Sequence, residues 1–543
     1  MRVVPLGGLG EVGMNCLALC DGGHALVVDC GVLFDDRGLG VDVISPDLSA
    51  LDDMIVDGLV LTHGHEDHLG GVPYFLQRFD APVWGPRYTL GLLGARAEEH
   101  EILRHARLNE AVPRRPFEVG RFRVEPVRVT HSIVDATALA IDAPSGRVFH
   151  TGDFKIDESM TGDHGIDLER IGAIGKEGVD LLLSDSTNSE VDGWTASETS
   201  VEPVLRELVL AAKGAVVVSL FSSNVLRLAA LGRIALAAGR HLVLLGRSVR
   251  THADVARYQG HLAWPGGLVH PVDRLRELPR EKILGVATGS QGEPQAALAK
   301  LARGAFSDLD LGEGDTVILS SRVIPGREPV VHGVVDDLLR RGVDVRSVLR
   351  DRRVHAGGHA AKDEQRRMIE LVMPRAFVPV HGARHQLDAH ARLAREVGVA
   401  DVHILENGQT ARLDGGALTR DGDVPVARIH RWNGRAVAEG VIGERRAMAE
   451  SGVAFVRAEL GREGLTGAFH VHSRGIAPNN MHDALTESCF AEAADAVDAL
   501  PPHASEDDAR EAVRAAVRRA LGKITGRRPM VVVDLDDHRG GPG

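Results

Sequence analysis

The pattern of hydrophobic and polar positions changes its rhythm along the chain. Over residues 1 to about 200, short strand-like runs alternate with glycine-rich turns. Four of these runs are Arg2 to Leu6, Asn15 to Leu19, His24 to Asp29 and Gly58 to Thr62. The last run leads directly into a cluster of histidines. This part of the chain therefore predicts a β-rich region with polar chemistry at a strand end.

From about residue 200, helical periodicity alternates with apolar runs. Helices are predicted over Val201 to Lys213 and Val225 to Ala238, with strands in Ala215 to Phe221 and GRHLVLLGRS. A further strand-like run covers Asp315 to Ser320. Such alternation is typical of βαβ units around a parallel sheet.

A histidine-bearing strand and loop pattern returns from about 355 to 430, and the tail beyond about 445 predicts a separate small α+β unit. Strands are expected over Gly452 to Leu460 and Met530 to Asp534, and a helix over Asp508 to Ile524. On that helix an apolar stripe lies apart from a basic one. The two stripes are Val513, Val517 and Leu521, and Arg510, Arg514 and Arg518. We interpret the helix as packed on its own domain rather than as a contact surface for a polyanion.

Composition narrows the possible classes of protein. The chain has 543 residues, 44% of them hydrophobic, which favours two to four domains. The formal net charge is −13, so the chain is not expected to coat nucleic acid or anionic membranes nonspecifically, and any polyanion site must be local. Four cysteines without CxxC spacing, no signal-peptide core and no long apolar run predict a soluble protein of the reducing cytoplasm.

Gly8, Gly10 and Gly13 imitate a dinucleotide-binding fingerprint, GxGxxG, after an apparent strand. That fingerprint must open a helix, whereas the following MNCLALCDGGHALVVDCG predicts a β-hairpin. We therefore interpret these glycines as turn residues between strands.

The segment THGHEDHLGG is the most informative stretch of the sequence. His63, His65, Asp67 and His68 lie within six residues, directly after an apolar strand. Alternate positions at a strand end diverge, so His63 and His65 can face one metal ion while Asp67 and His68 face a second. Neutral imidazole and carboxylate suit zinc, and also manganese where oxygen ligands contribute more.

Further ligands are offered at the ends of other strand-like runs. His131 ends VEPVRVTH, Asp153 follows VFHTG, and His381 ends FVPVH. Each alone is typical of a hydrogen-bonded histidine or a turn aspartate. Together with the first cluster they predict a pair of divalent ions, with the Asp153 carboxylate able to bridge both.

The order HxHxDH, then His, Asp and a final His resembles the metallo-β-lactamase fold, and the rest resembles its β-CASP nuclease branch, specifically the bacterial ribonuclease J family. The similarity extends nearly end to end. It includes PLGGLGEVGMN, LLLSDSTN, FSSN, TGSQGEP, SSRVIPGRE, VHAGGHA, PVHGARHQL and ENG. The number and order of these segments make the resemblance specific.

The resemblance implies roles for individual residues. His63, His65 and His131 would bind one metal, Asp67, His68 and His381 the other, with Asp153 bridging. Asp185 would support the catalytic centre, and His359 would approach the scissile phosphate. A 5′-phosphate pocket would be formed by Ser222, Ser223, Asn224, His355, Gly357, Gly358 and His359. Small hydroxyls, an amide and glycine N–H groups are suitable phosphate donors.

Three positions depart from the family pattern. Leu226 stands where a histidine is common, Gly357 where serine is usual, and Ala383 where an acid is usual. All predicted metal ligands are retained, so hydrolysis is better supported than recognition of monophosphorylated ends. An acid at position 383 could hydrogen-bond to His381 and orient it, so the alanine puts that support of the histidine in question.

Given the negative net charge, RNA would need a local basic channel. The candidates are the arginine-rich stretch from Arg104 to Arg128 and the segment RSVLRDRRVH, and both could equally be solvated faces. The second adjoins the predicted site. The family resemblance also implies a C-terminal domain that assists assembly, so a homodimer or homotetramer is expected.

These observations predict an α/β protein: a metallo-β-lactamase αββα sandwich with an inserted β-CASP domain and a small α+β C-terminal domain. The expected boundaries are 1–204 and 355–440 for the sandwich, 205–354 for the insertion and 445–537 for the tail. The expected activity is two-metal hydrolysis of RNA by endonucleolytic cleavage, with 5′ to 3′ exonucleolytic cleavage left open. The alternatives are a DNA nuclease, a thioesterase- or lactonase-like hydrolase, and a binding protein without chemistry.

Overall fold

The structure is a computed structural model that describes residues 1–34, 38–324, 326–478, 481–501 and 503–539. The chain forms two compact units. The first comprises Met1–Leu33 and Ser45–Arg428, and the second comprises Phe34–Ile44 and Ile429–Gly543. Every predicted site residue belongs to the first unit.

Two large sheets pack face to face at the centre of the first unit. Leu19 and Leu26 of one sheet meet Leu139 and Leu181 of the other in a shared apolar core. The first sheet, in spatial order, contains Ala417–Asp423, Gln409–Asp414, Arg2–Gly7, Cys16–Asp21, His24–Val28, Ile55–Val60, Val83–Gly85 and Leu108–Glu110. The second contains Phe117–Val119, Phe122–Arg128, Thr137–Ala143, Gly146–His150, Leu181–Asp185, Ala376–Val380 and Asp401–Val402.

Helices cover the outer faces of this sandwich, which is why apolar residues fill both faces of the central strands. They are Glu66–Leu69, Val72–Arg78, Arg87–Ala95, Leu168–Glu177, Lys362–Val372 and Arg384–Val397. Short 3₁₀ helices occupy Ser49–Leu51, Glu101–His105 and Gly162–His164, and the two-residue strands Leu9–Gly10 and Gly382–Ala383 pair with each other. The αββα layering predicted from the sequence is confirmed.

The glycine-rich N-terminal motif is a set of turns, as predicted. Gly8, Gly10 and Gly13 have φ values of 87°, 86° and 97°, which glycine adopts at no steric cost. The chain then forms an antiparallel hairpin in which Asp21 lies opposite His24. No helix begins at this motif.

The segment between the two parts of the sandwich forms a parallel sheet with helices on both faces. Its strands, in spatial order, are His241–Leu245, Ile283–Ala287, Val216–Ser219, Thr316–Leu319 and Asp344–Ser347. Its helices are Val201–Ala211, Val225–Ala238, Arg247–Tyr258, Ala297–Ala302 and Glu328–Arg340, with 3₁₀ helices at Glu198–Ser200, Val272–Glu277, Arg280–Lys282 and Arg352–Val354. The predicted parallel sheet is confirmed. The expected boundary at 204/205 falls inside the helix Val201–Ala211.

Two neighbouring strands of this sheet lead to helices on opposite faces. The helix after Val216–Ser219 packs with Val218, whereas the helix after Thr316–Leu319 packs with Val317. Such a topological switch point opens a crevice at the carboxyl ends of the strands, where ligands of α/β sheets commonly bind. The FSSN and SSR segments occupy this crevice.

The second unit contains a three-stranded sheet of Gly464–Arg474, Val453–Gly461 and Met530–Asp537, covered by the helices His482–Asp498 and Glu506–Thr525. Val513, Val517 and Leu521 are fully buried against it, so the apolar stripe is a packing surface, as predicted. The helix Glu439–Ser451 also belongs to this unit, which begins at Ile429, earlier than the expected 445. The remaining short strands are Leu33–Phe34, Val43–Pro46, Arg428–Trp432 and Arg435–Ala436.

None of the helices formed by the described residues combines the length and the apolar character needed to cross a bilayer.

Candidate metal centre and phosphate site

The histidine cluster lies where the strand Ile55–Val60 gives way to the short helix Glu66–Leu69. His65 precedes that helix in an extended conformation, and Asp67 and His68 lie in its single turn. This change of backbone direction separates His63 and His65 from Asp67 and His68. The two pairs fall in two of the three groups of potential ligands among the described residues, and the third group joins Asp153 and His381 with Asp185 and His359.

The first group joins His63, His65 and His131 with Asp153. The Nδ1 atom of His65 lies 3.0 Å from His63 Nε2 and 3.1 Å from His131 Nε2. The Asp153 Oδ2 atom lies 3.7 Å from His63 Nε2 and 3.7 Å from His131 Nε2. Three imidazole nitrogens and one carboxylate oxygen thus face one point.

Hydrogen bonds made by the ring nitrogens that point away from the cluster bear on which nitrogen of the imidazole carries the proton. His131 Nδ1 donates to the carbonyl of Gly358 at 2.8 Å, and His65 Nε2 lies 2.9 Å from the hydroxyl of Ser223. His63 Nδ1 lies 3.0 Å from the Thr62 hydroxyl, whose own proton is given to Asp29. The inward nitrogens of His63 and His131 are therefore free of protons, which is the state that binds a metal ion. The Ser223 hydroxyl can give or accept a proton, so His65 reaches the same state when this hydroxyl accepts from its Nε2.

The second group joins Asp67, His68 and His381. His68 Nε2 lies 3.7 Å from Asp67 Oδ2 and 3.3 Å from Asp153 Oδ2, and His381 Nε2 lies 3.5 Å from Asp67 Oδ2. The other oxygen of Asp153 lies 2.9 Å from His381 Nδ1. The Oδ2 atom of Asp153 therefore lies between the two groups, and its Oδ1 atom contacts the outer nitrogen of His381.

The pKa directions follow from burial and from the local carboxylates. Burial, followed by neighbouring histidines, lowers the pKa of His63 and His65 well below the usual value, and burial lowers that of His131 to about 4. Burial opposes the charge on His68 and His381 too, but Asp153 and other carboxylates raise their pKa values. The first group thus consists of neutral imidazoles, and the second lies in a field that attracts positive charge.

The residues present fit metal ions. His381 Nε2 is buried and makes no hydrogen bond with the described residues. The residue holds a left-handed backbone conformation, with φ of 52°, which costs a non-glycine residue energy that folding must otherwise supply. A nitrogen without a hydrogen bond on a strained residue, facing a carboxylate, is typical of a ligand that binds a cation.

Asp29 and Asn15 support the second group and were not identified from the sequence. Asp29 Oδ2 accepts from His68 Nδ1 at 2.8 Å, and Asn15 Nδ2 lies 3.0 Å from His68 Nε2. Asp29 is itself held by the backbone N–H and hydroxyl of Thr62, both at 2.8 Å. An aspartate that ends a strand gives no sequence signal beyond its position, although its φ of 58° marks it in the structure.

Asp185 and His359 form a pair beside the second group. Asp185 Oδ2 accepts from His359 Nδ1 at 2.8 Å, which leaves the Nε2 edge of the ring available to a substrate. Burial lowers the pKa of His359, but Asp185 and Asp153 together raise it above the usual value. His359 is thus held in its protonated form more strongly than an ordinary histidine.

Ala383 does not weaken the support of His381. Asp153 and Asp185 lie 2.9 and 3.6 Å from His381 Nδ1, and the Thr187 hydroxyl lies 3.3 Å from the same atom. The backbone N–H of Ala383 is bound instead by the side chain of Gln386. The position where the family usually has an acid is therefore not needed to orient this histidine.

Ser222, Ser223 and Asn224 form the turn after the strand Val216–Ser219. The Ser223 hydroxyl reaches His65, so the turn contacts the first ligand group. Asn224 caps the helix Val225–Ala238, because its side-chain oxygen accepts from the N–H of Arg227 at 3.0 Å. Its amide nitrogen donates to Glu198 at 3.4 Å, so Ser222, half-buried, is the more accessible donor.

His355 is held by Arg227, which was not identified from the sequence. Arg227 is only 1% exposed and donates to Glu198 at 2.7 and 2.9 Å, to the carbonyl of Ser320 at 2.7 Å and to His355 Nδ1 at 3.0 Å. The same Nδ1 atom lies 3.2 Å from the carbonyl oxygen of Ser320, which only accepts, so the two contacts hold the ring in place without fixing which ring nitrogen carries the proton. Burial, then Arg227, lowers the pKa of His355 to about 3, so the ring is neutral.

Gly358 and Gly357 differ in what surrounds them. A Cβ at Gly358 would lie 2.8 Å from the His131 ring, so only glycine allows this close approach. A Cβ at Gly357 would meet only Thr195 Cγ2, at the ordinary contact distance of 3.6 Å. The backbone at 357 therefore does not require glycine.

Much of the arginine-rich sequence is paired with acids. In the stretch from 104 to 128, Arg107, Arg114, Arg123 and Arg128 pair with acidic residues. In RSVLRDRRVH, Arg346 pairs with Asp344 and Arg353 with Asp351. Arg322, by contrast, is exposed on the SSR segment, and its charge bears on the pKa of His355.

Comparison with known families matches four successive parts of the chain. The matches are to the metallo-beta-lactamase superfamily over residues 9–169, the ribonuclease J beta-CASP domain over 213–338, the Zn-dependent metallo-hydrolase RNA specificity domain over 349–405 and the ribonuclease J C-terminal domain over 440–535.

Curated relatives named ribonuclease J match most of the chain. The Synechocystis protein is 37% identical over 88% of this chain and 76% of its own length. The protein of Mycolicibacterium smegmatis is 36% identical over 98% of this chain and 96% of its own length. A crystal structure of a protein of unknown function from Enterococcus faecalis shares the fold, with a TM-score of 0.55 and 17% identity over 75% of this chain and 99% of its own.

Proposed function

Because the chain belongs to the ribonuclease J family, we propose that it is a metal-dependent ribonuclease that hydrolyses RNA phosphodiesters. The observation that carries this proposal is the convergence of proton-free imidazole nitrogens and carboxylates on both sides of Asp153. The match to an RNA specificity domain over 349–405 supports RNA as the substrate.

We propose two divalent ions per chain, with zinc favoured because the first group supplies three imidazole nitrogens and one carboxylate. His63, His65 and His131 would hold one, Asp67, His68 and His381 the other, and Asp153 would contact both. The ions would supply Lewis-acid activation of water and of the phosphodiester. Manganese remains the alternative where the carboxylates dominate.

His359 is placed to serve the leaving oxygen of the phosphodiester. Its Nδ1–H is given to Asp185, so the Nε2–H of the charged ring is the proton that a substrate oxygen can receive. Asp185 orients the ring and stabilises its charge. The same N–H stabilises negative charge that develops on the phosphate.

A terminal phosphate would lie in the crevice at the switch point of the inserted sheet. The hydroxyls of Ser222 and Ser223 would be the donors there, with the neutral ring of His355 and the N–H groups of Gly357 and Gly358 beside them. Because Gly357 lacks a hydroxyl, we expect recognition of 5′-monophosphate to be weaker than in a pocket with serine there. Endonucleolytic cleavage and 5′ to 3′ trimming both remain within the proposal.

The test compares matched RNA and DNA strands, with the RNA carrying a 5′-monophosphate or a 5′-triphosphate. Wild type and Asp67→Ala are assayed with and without chelator. The proposal predicts metal-dependent cleavage of RNA that Asp67→Ala loses. Preferred cleavage of DNA, or cleavage unchanged by Asp67→Ala, would contradict it. Strands labelled at each end separate internal cutting from end trimming.

Three further features belong to the proposal. All four cysteines are free and buried, which supports a reducing cytoplasm. A homodimer or homotetramer is expected from the match to the family's C-terminal domain.

The sandwich domain would comprise 1–204 and 355–440, the inserted domain 205–354 and the C-terminal domain 445–537. The first boundary is better placed before the helix that begins at Val201.

A further inference from the structure

The loop from Asn188 to Ala196 is bound along its length to the segment that carries His359. The Asn188 side chain and the Thr195 hydroxyl both donate to the carbonyl of His359, at 3.0 and 2.8 Å. Thr195 N–H donates to Glu364 at 2.7 Å. A loop fixed at so many points holds its backbone at a constant place beside the segment that carries His359.

Two backbone hydrogen bonds complete this attachment. The carbonyl of Val191 accepts from Lys362 at 2.9 Å, and the carbonyl of Gly193 accepts from Asp363 at 3.1 Å. At the other end Lys155, which is fully buried, donates to the carbonyl of Ala196 at 3.1 Å. The loop therefore has little freedom to move independently of the catalytic segment.

Trp194 is the large side chain that this loop leaves in solvent, with 53% of its surface exposed. Of the other tryptophans, Trp84 stacks on Phe117 at 4.1 Å and Trp264 packs closely on Gly232, so both have structural roles. Trp194 lies between Gly193 and Thr195, both of which bind the catalytic segment. Its indole contributes less to the core than either of those packed rings.

The space beside Gly357 borders the loop that carries Trp194. Among the described residues, a Cβ placed on Gly357 would have one heavy atom within 4 Å, Cγ2 of Thr195, the residue next to Trp194. A nucleotide whose phosphate lies along Gly357 and Gly358 would therefore carry its base past the Thr195 side of the loop. An indole held rigidly there offers a face on which a base can stack.

We infer that Trp194 is a stacking platform for a nucleobase of the RNA next to the cleaved bond. The inference deepens the proposed ribonuclease function and rests on it. Stacking is tolerant of sequence because every base has a flat apolar face, so the platform would position RNA without selecting a base. In a chain with 4% aromatic residues, one fixed ring beside the site would hold the strand while the phosphate is attacked.

The test is a double-mutant cycle between Trp194→Ala and an abasic nucleotide placed in turn at each position of a short 5′-monophosphorylated RNA. In the wild type, the abasic nucleotide at the stacked position is expected to raise KM by about 5- to 150-fold, the range of one base–aromatic stack. Trp194→Ala with intact RNA is expected to raise KM to a similar extent. Trp194→Ala assayed with the abasic RNA should raise KM no more than either change does alone, because each removes the same contact.

Two variants provide the controls. Trp194→Phe keeps a stacking ring and is expected to recover most of the affinity. Trp432→Ala removes a ring that is equally exposed, at 53%, but belongs to the other compact unit, and it should leave KM unchanged. Unchanged melting temperatures for all three variants show that folding is not the cause.

The outcomes separate this inference from the proposed function. Suppose that the wild type cleaves RNA, but the effects of Trp194→Ala and of the abasic nucleotide on KM are independent at every position. Trp194 then does not stack on a base, and only this inference is overturned. If the wild type does not cleave the RNA with metal present, the proposed function fails, and the inference fails with it.

Discussion

The residues around the metal centre are arranged by hydrogen bonds that lie one step away from it. Thr62 and Asp29 fix His63, Gly358 fixes His131, and Ser223 lies against His65. The contacts of His63 and His131 leave the inward nitrogen without a proton, and the Ser223 hydroxyl can accept the outer proton of His65. The site is therefore organised for cations by the surrounding fold as well as by its ligands.

Gly357→Ser tests the phosphate site at the scale of one residue. The substitution meets no steric obstacle, because the new Cβ would lie 3.6 Å from Thr195 Cγ2, and it adds a hydroxyl donor. We expect the preference in kcat/KM for 5′-monophosphorylated over 5′-hydroxyl RNA to rise about tenfold or more, since a hydrogen bond to a charged group contributes roughly 1.5–3 kcal/mol. Gly357→Ala fills the same space without a donor. An equal effect of both variants would exclude the hydroxyl as the cause.

Arg227→Met tests the buried ion pair beneath His355. Glu198 would be left without its partner in a largely buried position, which typically costs about 3–5 kcal/mol. Urea unfolding should show this loss, and adding Glu198→Gln should recover part of it. A single variant as stable as wild type would show that the pair does not hold the inserted domain together. If the double variant is no more stable than the single one, the unpaired charge is not the cause.

At the scale of elements, local signals predict some boundaries well and tertiary pairing decides others. The helix Val225–Ala238 matches its prediction because Asn224 caps its start and Gly239 ends it with φ of 60°. The strand predicted over Gly58 to Thr62 instead runs over Ile55–Val60, because it pairs with His24–Val28 from its first residue. That pairing partner cannot be read from the segment itself.

The residues of the candidate site were likewise predictable from the sequence only in part. The seven predicted metal ligands converge, since their motif spacing reflects strand ends that meet at one edge. Arg227 was missed because a basic residue within a helical pattern ordinarily faces solvent, and only the tertiary fold buries it. Trp194 was missed because a single aromatic residue in a loop has no periodicity.

Asn224→Ala tests the link between a helix cap and the phosphate turn. Loss of the cap should cost about 1 kcal/mol in the free energy of unfolding and loosen the turn that carries Ser222 and Ser223. Asn224→Ser, which can still cap, should retain most of the stability. Thermal unfolding measures both variants. Equal stability of Asn224→Ala and wild type would contradict the capping role.

In the molecule as a whole, a negative net charge must be compatible with a substrate, RNA, that is itself negatively charged. Positive charge confined to the candidate site would make the two compatible. Several arginines near the site are neutralised by acids, so bulk charge does not attract RNA there. Cations at the ligand groups would supply the positive field, together with Arg322 and the donors of the phosphate site. Binding of RNA should therefore depend on metal more than on the protein's own net charge.

Buried neutral histidines give the stability of the fold a defined dependence on pH. Burial lowers the pKa of His252 to about 4 and that of His390 to about 3, whereas an unfolded histidine titrates near 6.5. Below about 6.5 the unfolded chain binds more protons than the folded one, so stability falls as the pH falls toward 4. Each histidine contributes up to about 1.4 kcal/mol per pH unit in this window.

Replacing both residues, His252→Gln with His390→Gln, should flatten the decline of melting temperature between pH 6.5 and about 4.5. His385→Gln is the control, because that side chain is exposed. If the double variant and the control lose stability with acid as steeply as wild type, these histidines do not determine the dependence.

If two metal ions at one site enable hydrolysis of RNA, metal content and activity must rise and fall together. Wild type and Asp153→Asn are freed of metal, reloaded with zinc or manganese, and analysed for ions per chain and for the rate of RNA cleavage. We expect two ions per wild-type chain, fewer in Asp153→Asn, and a rate lower by about a thousandfold or more in that variant and in metal-free protein. Cleavage of RNA by metal-free wild type at the rate of the reloaded protein would contradict this expectation.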